Sequence, residues 1–348
     1  MAIFDFPVYG VYELDDLCIA NHKIEKGKTY KLELPLVSLY TSSDIKIPVF
    51  VRRGRAKGPT MFISAAIHGD ELNGVEIISR IINHTSMKSI KGTLICVPFV
   101  NAYGVLNQTR YMPDRRDLNR CFPGTSSGSL AARVAHTFFH EIVKKCDYGI
   151  DLHTGAIHRS NLPQIRANLK DEETLELAKS FNVPVIMNSD LRDGSLREAA
   201  VEHGVRILLY EAGEALRFDD VSIKAGVRGI FNVLRTLKML PERKSTKPKA
   251  KTVPYIAQDS NWVRAPASGF VVHHKSLGDQ VNDGDVLASI KNPFGVVEAK
   301  IEATETGVII GKQNIPLVHE GEAVYHIAYF KKVEKVIESV EAMEQVFS

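Results

Sequence analysis

The sequence lacks the features that mark several large classes of protein. Its 348 residues include four cysteines, Cys18, Cys96, Cys121 and Cys146, and no two of them form a CxxC pair. We therefore expect free thiols in a reducing compartment rather than a disulfide framework. No run of about 18 apolar residues occurs, so no membrane span is expected. Residues 1–16 have neither a basic start nor an apolar core. This pattern excludes a signal peptide and predicts a cytoplasmic protein.

An excess of charge of one sign is also absent. The chain has 44 Lys+Arg and 41 Asp+Glu, which gives a net charge of +3. This balance predicts neither nucleic acid nor an anionic membrane as a partner. The phosphate-binding motifs GxGxxG and GxxxxGK[ST] do not occur, so a nucleotide cofactor has no support. What remains is a globular composition, and a length that suits one large domain with an appendage.

Composition divides the chain into three parts. Residues 241–254 hold five Lys/Arg and three prolines with almost nothing apolar, which is typical of an exposed linker. This predicts a first domain over residues 1–240, a basic linker over 241–254 and a second domain over 255–348.

The first domain shows strand and helix patterns in alternation. Residues 60–67 and 93–100 are short apolar runs, as expected for strands that are buried on both faces. Residues 148–152 and 206–210 predict further strands, and residues 128–146 predict one of the intervening helices. The alternation predicts an α/β sheet with helices on both faces, where ligands usually bind at the carboxyl ends of strands.

The second domain contains an internal repeat. The segment that begins at Ala265 matches the one that begins at Ala303, at an offset of 38 residues. Residues 281–285 match residues 318–322 at an offset of 37. Two similar halves with frequent glycines predict a small, pseudo-symmetric β sandwich.

Two short motifs supply residues that bind metals. His68 and Glu71 follow the predicted strand 60–67, and His153 lies at the end of the strand that begins at residue 148. Two histidines and a glutamate are the composition of catalytic zinc sites that keep one position for water. Each motif alone also fits a polar loop or a buried histidine. Their shared position at strand ends favours a metal site.

Two further polar segments lie between and after these motifs. Asn119 and Arg120 can form forked hydrogen bonds, which suit recognition of a substrate carboxylate or acyl group. Glu211 and Glu214 follow an apolar strand, where a carboxylate can act as general base. We favour Glu211 because it is nearer to the buried strand.

HxxE, DLNR, DLH and ExG in this order resemble the succinylglutamate desuccinylase/aspartoacylase family of zinc carboxypeptidase-like hydrolases. The resemblance covers roughly residues 45–240. It implies a carboxypeptidase-like mixed twisted sheet with helices on both faces, followed here by a C-terminal all-β barrel-sandwich domain.

The resemblance also implies a role for each matching residue. His68, Glu71 and His153 would bind one Zn²⁺ per subunit, and Glu211 would be the general base. Asn119 and Arg120 would bind substrate, and Asp117 would hydrogen-bond a ligand histidine. Arg166, shortly after His153, is also placed to bind a substrate anion, with a surface role as the alternative. Arg110 would stabilise the oxyanion, with Arg115 and Arg116 as alternatives because the spacing to DLNR varies.

The implied activity is a zinc-dependent deacylase that hydrolyses the amide of an N-acyl amino acid or a related small molecule, and not the peptide bonds of proteins. The alternatives are a catalytically inactive, amino-acid-binding member of the family and a small-peptide carboxypeptidase. The substrate would be a small N-acyl molecule, with neither nucleic acid nor a membrane as partner.

The second domain resembles biotinyl/lipoyl carrier domains. Lys291 lies near the hairpin where such carriers hold their modified lysine, but no methionines flank it and Pro293 interrupts the motif. We therefore expect a structural cap, or a contact that joins subunits into a homo-oligomer, rather than a carrier.

Overall fold

The computed structural model describes residues 17–38, 42–188, 193–242 and 253–347. The amino-terminal segment 1–16 and most of the predicted linker 241–254 lie outside these ranges. Among the described residues, no helix combines the length and the apolar character needed to cross a membrane.

The described residues form nineteen strands and seven α-helices, with helices interspersed among the strands over residues 60–236 and strands alone over residues 255–329. The strands are β1 (Cys18–Ile19), β2 (His22–Lys23), β3 (Thr29–Ser38), β4 (Asp44–Arg53), β5 (Thr60–Ala65), β6 (Thr93–Val97), β7 (Tyr148–Gly155), β8 (Arg159–Ala167), β9 (Val185–Asn188), β10 (Arg206–Glu214), β11 (Tyr255–Ala257), β12 (Asp259–Arg264), β13 (Gly269–His273), β14 (Gln280–Val281), β15 (Val286–Lys291), β16 (Val297–Glu302), β17 (Gly307–Gln313), β18 (Leu317–Val318) and β19 (Ala323–Tyr329). The helices are α1 (Asn73–Ile82), α2 (Ala102–Asn107), α3 (Leu130–Glu141), α4 (Glu172–Phe181), α5 (Leu196–Glu202), α6 (Asp220–Thr236) and α7 (Val333–Phe347). Short 3₁₀ helices cover Thr85–Ser89, Leu118–Arg120 and Val143–Lys145.

One large mixed sheet organises the molecule. Its main path runs β12-β19-β17-β8-β10-β7-β5-β6-β4-β3. The central strands β10, β7, β5 and β6 are parallel, whereas β8 is antiparallel to β10 and β4 is antiparallel to β6. Every residue of β5 and of β6 is buried, as the continuous apolar runs in the sequence predict. The predicted α/β fold with a mixed sheet is confirmed.

Helices cover both faces of this sheet. Apolar residues of α1, α4, α6 and α7 share one core with the sheet, and those of α2, α3 and α5 share a second core on the other face. Ser195 is the N-cap of α5, since Ser195 Oγ accepts a hydrogen bond from the Glu198 backbone N–H at 3.2 Å. The Glu198 carboxylate in turn accepts from the backbone N–H of Gly194, one residue before the position that a capping box uses.

The internal repeat corresponds to two strand pairs. Strands β13 and β14 in the first half match β17 and β18 in the second, and each half pairs with the other through β13–β18 and β14–β17. A four-stranded sheet, β16-β15-β13-β18, faces strands of the large sheet across a third apolar core. Antiparallel C-terminal β sheets are thus confirmed. Helix α7 at the end of this region was not predicted.

The large sheet crosses the predicted domain boundary. Strand β17 pairs with β8, and β11 pairs with β9, so backbone hydrogen bonds join residues on both sides of the predicted linker. Val308 and Val336 also belong to the same core as Ile165 of β8. Strands of the second region thus extend the sheet of the first region. The division of the chain into two domains at residues 241–254 stays a prediction.

Candidate active site

The loop after β5 is held in place by close packing of helix α1. A Cβ atom at Gly74 would lie 2.6 Å from Ala65 Cβ and 2.7 Å from Leu152 Cβ, so only glycine permits this approach to β5 and β7. The same two strands are parallel neighbours, with Ala65 opposite Leu152. His68 and His153 therefore lie side by side at the carboxyl ends of β5 and β7.

His68, Glu71 and His153 converge on a common point. The Nδ1 atoms of His68 and His153 lie 2.7 Å and 2.8 Å from the two carboxylate oxygens of Glu71. One donor atom from each of the three residues lies within 4.8 Å of the others, and all three side chains are buried. Two imidazole nitrogens and a carboxylate oxygen are the donor set of catalytic zinc sites.

Each histidine is oriented by a second carboxylate. His68 Nε2 lies 3.0 Å from Asp117 Oδ1, and His153 Nε2 lies 2.6 Å from Asp151 Oδ2. Ser64 donates a hydrogen bond to the other oxygen of Asp151 at 2.8 Å. Carboxylates that contact the outer nitrogens fix the rings with Nδ1 toward the centre, as in metal sites. The residues present thus fit a divalent metal ion.

The electrostatics of the site also favour a cation. Burial by itself raises the pKa of Glu71, but the charges of His68 and His153 outweigh burial and lower this pKa well below its usual range. Burial likewise acts to lower the pKa of His153, and the carboxylates of Asp151 and Glu71 reverse the effect and raise it. A buried centre with several carboxylates requires positive charge, which either protons or a metal ion supply.

Arg110 reaches the metal-binding residues. Its Nη1 donates to Glu71 Oε1 at 3.1 Å, and its Nη2 donates to Asp117 Oδ2 at 3.2 Å. Arg110 lines the cleft beside the triad, whereas Arg115 and Arg116 are exposed and are not among the cleft residues. The position favours Arg110 over the other two as the cationic residue near the reaction centre.

Glu211 and Arg166 lie on adjacent strands at the other side of the triad. Glu211 on β10 is opposite His153 on β7 and opposite Gln164 on β8. Arg166 Nε lies 2.7 Å from Glu211 Oε2, and this contact is an ion pair whose angle falls outside hydrogen-bond geometry. The candidate base is therefore paired with the arginine that the sequence predicts as a substrate ligand.

Asn119 and Arg120 lie on the 3₁₀ turn that faces helix α5. Asn119 Oδ1 accepts a hydrogen bond from the Leu196 N–H at 2.9 Å, and Arg120 Nη1 donates to the Asn119 carbonyl at 2.5 Å. The side-chain oxygen of Asn119 thus anchors the 3₁₀ turn to helix α5. A ligand would then be recognised by the Nδ2 group of Asn119 and by the guanidinium of Arg120.

A single cleft of about 910 Å³ brings these residues together. The eight residues predicted to bind metal, bind substrate or act in catalysis all line it: His68, Glu71, Arg110, Asn119, Arg120, His153, Arg166 and Glu211. The arrangement places metal-binding groups, a carboxylate and several arginines around one space, which is what hydrolysis of an anionic substrate requires.

The sequence profile of the succinylglutamate desuccinylase/aspartoacylase catalytic domain matches residues 57–237. The chain belongs to this family. A curated relative, the N-alpha-acetyl-L-2,4-diaminobutyric acid deacetylase of Halomonas elongata, is 27% identical over 294 residues, which cover 82% of this chain and 86% of the relative.

Solved structures of family members share the fold. The product-bound ectoine utilization protein EutE (DoeB) of Ruegeria pomeroyi superposes with a TM-score of 0.77 at 26% identity, over 86% of this chain and 95% of that one. A succinylglutamate desuccinylase/aspartoacylase of Rhodobacter sphaeroides gives a TM-score of 0.78 at 23% identity, over 88% of this chain and 98% of that one. Because these matches cover most of the chain, the family fold includes the C-terminal β region.

The predicted site residues make up only about a third of the residues that line the cleft of this family member. The residues not predicted include Arg159, Arg197, Trp262, Arg264, Glu320 and Glu322. Arg197 lies two residues after the N-cap Ser195, so the S-x-x-E capping pattern of residues 195–198 is a local signal for its place in the first turn of α5. The four of these residues that lie in the second region had no such local signal, because that region shows no motif that suggests contact with the cleft.

Proposed function

We propose that the chain is a zinc-dependent amide hydrolase that removes the acyl group of an N-acyl amino acid. The observation that carries this proposal is the convergence of His68, Glu71 and His153 in the same cleft as Glu211. The name of the Halomonas relative supports an N-acetyl diamino acid as the first substrate class to test.

The metal would be held by His68, Glu71 and His153. A zinc ion held there would act as a Lewis acid and would make water more acidic, with a pKa of about 7. Asp117 and Asp151 hold the histidine rings in the orientation for ligation, as their contacts of 3.0 Å and 2.6 Å indicate.

Glu211 accepts a proton from the attacking water and delivers it to the nitrogen of the scissile amide. Water oxygen forms a bond to the carbonyl carbon, the carbon–nitrogen bond breaks, and a carboxylic acid and an amine are released. Arg110 stands beside Glu71 and stabilises the negative charge that develops on the carbonyl oxygen. Removal of one such donor typically costs about a hundredfold to a thousandfold in kcat.

Asn119 and Arg120 bind the substrate carboxylate. A guanidinium matches a carboxylate in planar, bidentate geometry, and Arg120 lies on the cleft side of a turn fixed by Asn119. Arg166, which is paired with Glu211, binds the substrate on the side of the cleft where this general base lies.

The proposal is tested by a hydrolysis screen with purified, zinc-loaded protein. The panel holds N-acetyl and N-succinyl amino acids, N-acetyl diamino acids and dipeptides, and release of the amine is measured. We expect turnover of an N-acyl amino acid and about a hundredfold or greater loss in Glu211→Gln, since acid–base groups contribute on the order of 10²–10⁴.

Other outcomes identify the alternatives. Preferred cleavage of dipeptides would indicate a small-peptide carboxypeptidase. Binding of amino acids without turnover of any panel member would indicate an inactive binding protein. Equal rates for the wild-type protein and Glu211→Gln would refute the role of Glu211.

A further inference from the structure

The outer wall of the cleft comes from the C-terminal region. Trp262 and Arg264 of β12 and the turn at Glu320–Glu322 line the same space as the metal-binding triad. Trp262 is the single tryptophan of the chain and is half-buried. A large aromatic side chain at the wall of a polar cleft offers apolar contact area that the arginines around it do not.

The position of the Trp262 ring is defined by its neighbours across the sheet. Trp262 is opposite His326 in the β12–β19 pair, and the two rings stack with centroids 4.5 Å apart and an angle of 9°. His326 is opposite Gly311 of β17, which is opposite Asn161 of β8. The indole thus lies on a row of residues that leads from the C-terminal strands to the cleft.

Gly311 provides the space for this placement. A Cβ atom there would lie 2.9 Å from Asn161 Oδ1, 3.0 Å from His326 Cβ and 3.6 Å from Trp262 Cη2. A Cβ at this position would crowd Asn161 and His326 and would touch the Trp262 ring, so a side chain larger than alanine would also press on the indole. The absence of a side chain at Gly311 lets the indole of Trp262 extend across β17 toward Asn161 of the first domain.

Arg159 holds the ring from the first domain. Its guanidinium carbon lies 5.2 Å from the centroid of the Trp262 ring, and its Nη2 donates to the carbonyl of Ala323 at 3.4 Å. A cation over an indole face contributes about 0.5–1 kcal/mol at exposed sites. Trp262 is therefore preorganised, because residues of both regions fix one orientation of its ring.

We propose that Trp262 is a specificity-determining residue that contacts the substrate. It packs against the apolar end of an N-acyl amino acid whose amide lies at Glu211, and so sets the length of substrate that the cleft accepts. This inference rests on the proposed function, and it gives the C-terminal region a part in substrate selection beyond that of a cap.

Fluorescence of the single tryptophan tests the contact directly. Zinc-loaded Glu211→Gln holds substrate without rapid turnover, and each panel member is titrated into it while Trp262 emission is recorded. We expect a saturable change whose dissociation constant agrees with calorimetry on the same sample. Binding by calorimetry with unchanged emission overturns this inference and leaves the proposed function intact, whereas binding of no panel member overturns both.

Variants test the effect on specificity. Trp262→Ala should change the ratio of kcat/KM between short and long acyl groups, or between short and long amino-acid side chains, by about tenfold or more, the usual worth of one apolar contact. Trp262→Phe should change this ratio of kcat/KM values less than Trp262→Ala does. Phe294→Ala is the control, because Phe294 is 91% exposed in the turn between β15 and β16 and is not part of the cleft.

Gly311→Val provides an independent route to the same result. This variant keeps the tryptophan but should displace its ring, so both the emission maximum and the substrate preference should change. If Trp262→Ala folds, as judged by circular dichroism, and keeps the wild-type preference for both substrate parts, the inference is wrong. If it does not fold, Trp262→Phe and the titration decide.

Discussion

Arg166 Nε lies 2.7 Å from Glu211 Oε2, on two adjacent strands of the central sheet. The sequence motifs treat these residues as separate, one as a substrate ligand and the other as the base. Their contact means that the orientation of Glu211 depends on Arg166. A change at Arg166 will therefore affect the chemical step as well as binding.

Replacement of Arg166 by methionine tests this dependence. Arg166→Met keeps the length of the side chain and removes its charge, so the Glu211 carboxylate loses its partner. We expect kcat to fall by about tenfold to a hundredfold, the size of effect that misplacement of a catalytic group produces. Steady-state kinetics measure it, with Arg166→Lys as the conservative comparison. A rise in KM with unchanged kcat would show that Arg166 only binds substrate.

The Asp151 carboxylate, which contacts Nε2 of His153, should control the metal affinity of the site. Asp151→Asn weakens the contact of 2.6 Å that orients the ring, and such changes typically cost about 10-fold to 100-fold in affinity. Zinc binding is measured by competition with a chromophoric chelator. Ser64→Ala is the matched control, because it removes only a hydrogen bond to the far oxygen of Asp151 and leaves the carboxylate in place. Equal affinities in Asp151→Asn and the wild-type protein would contradict the role.

Acid should destabilise the protein through His326. Burial, and after it the charge of Arg166, lowers the pKa of His326 from 6.5 to about 3. Between these values the unfolded chain takes up a proton that the folded protein does not, so the free energy of unfolding falls as the pH falls. The loss is about 1.4 kcal/mol per pH unit, or about 2 kcal/mol between pH 6.5 and pH 5.

His326→Phe isolates this contribution. Phenylalanine keeps an aromatic ring against Trp262 and cannot titrate, so the variant should lose less stability over the same pH interval. Urea unfolding at several pH values measures the difference. Parallel pH dependences of the two proteins would exclude His326 as the cause.

A methyl group at Gly74 should damage both stability and metal binding. Gly74→Ala places a Cβ 2.6 Å and 2.7 Å from side-chain atoms of β5 and β7, so helix α1 must move away from the sheet. Overpacking of this kind costs about 1–3 kcal/mol. Helix α1 begins two residues after Glu71, so its movement should also lower zinc affinity.

Gly204→Ala separates this effect from backbone strain. Gly204 has a φ of +76° and no atom within 4 Å of an added Cβ, so alanine costs only the left-handed conformation, about 1–2 kcal/mol. Zinc affinity should stay at the wild-type value in this variant. Loss of zinc affinity in both variants would point to general destabilisation rather than to displacement of α1.

The predictions made from sequence succeed where the signal is local. The buried strands β5 and β6 are nearly continuous apolar runs, and the candidate metal ligands His68, Glu71 and His153 lie at or shortly after the ends of predicted strands. Parallel neighbours in a sheet then bring His68 and His153 together without further information. Glu211 lies opposite His153 for the same reason, since β10 is parallel to β7.

The contacts that the sequence did not predict are long-range. Strand β17 pairs with β8 through Gly311 and Asn161, which are 150 residues apart in the chain. Cross-strand register is not encoded in the periodicity of either strand alone. The ion pair of Arg166 with Glu211 and the position of Trp262 both depend on such register, so no local pattern indicated them.

The pairing of β17 with β8 also bears on how the chain tolerates truncation. A chain cut in the predicted linker would leave residues Arg159–Asn161 of β8 without their partner β17, because β9 pairs only with Gln164–Ala167. An uncovered edge presents a row of free backbone N–H and C=O groups, which is a template for pairing with another molecule. Apolar side chains of the shared core, now covered by Val308 and Val336, would become exposed as well. The C-terminal region thus acts as an intramolecular protection against aggregation, and a fragment that ends near residue 240 should self-associate rather than behave as a monodisperse hydrolase domain.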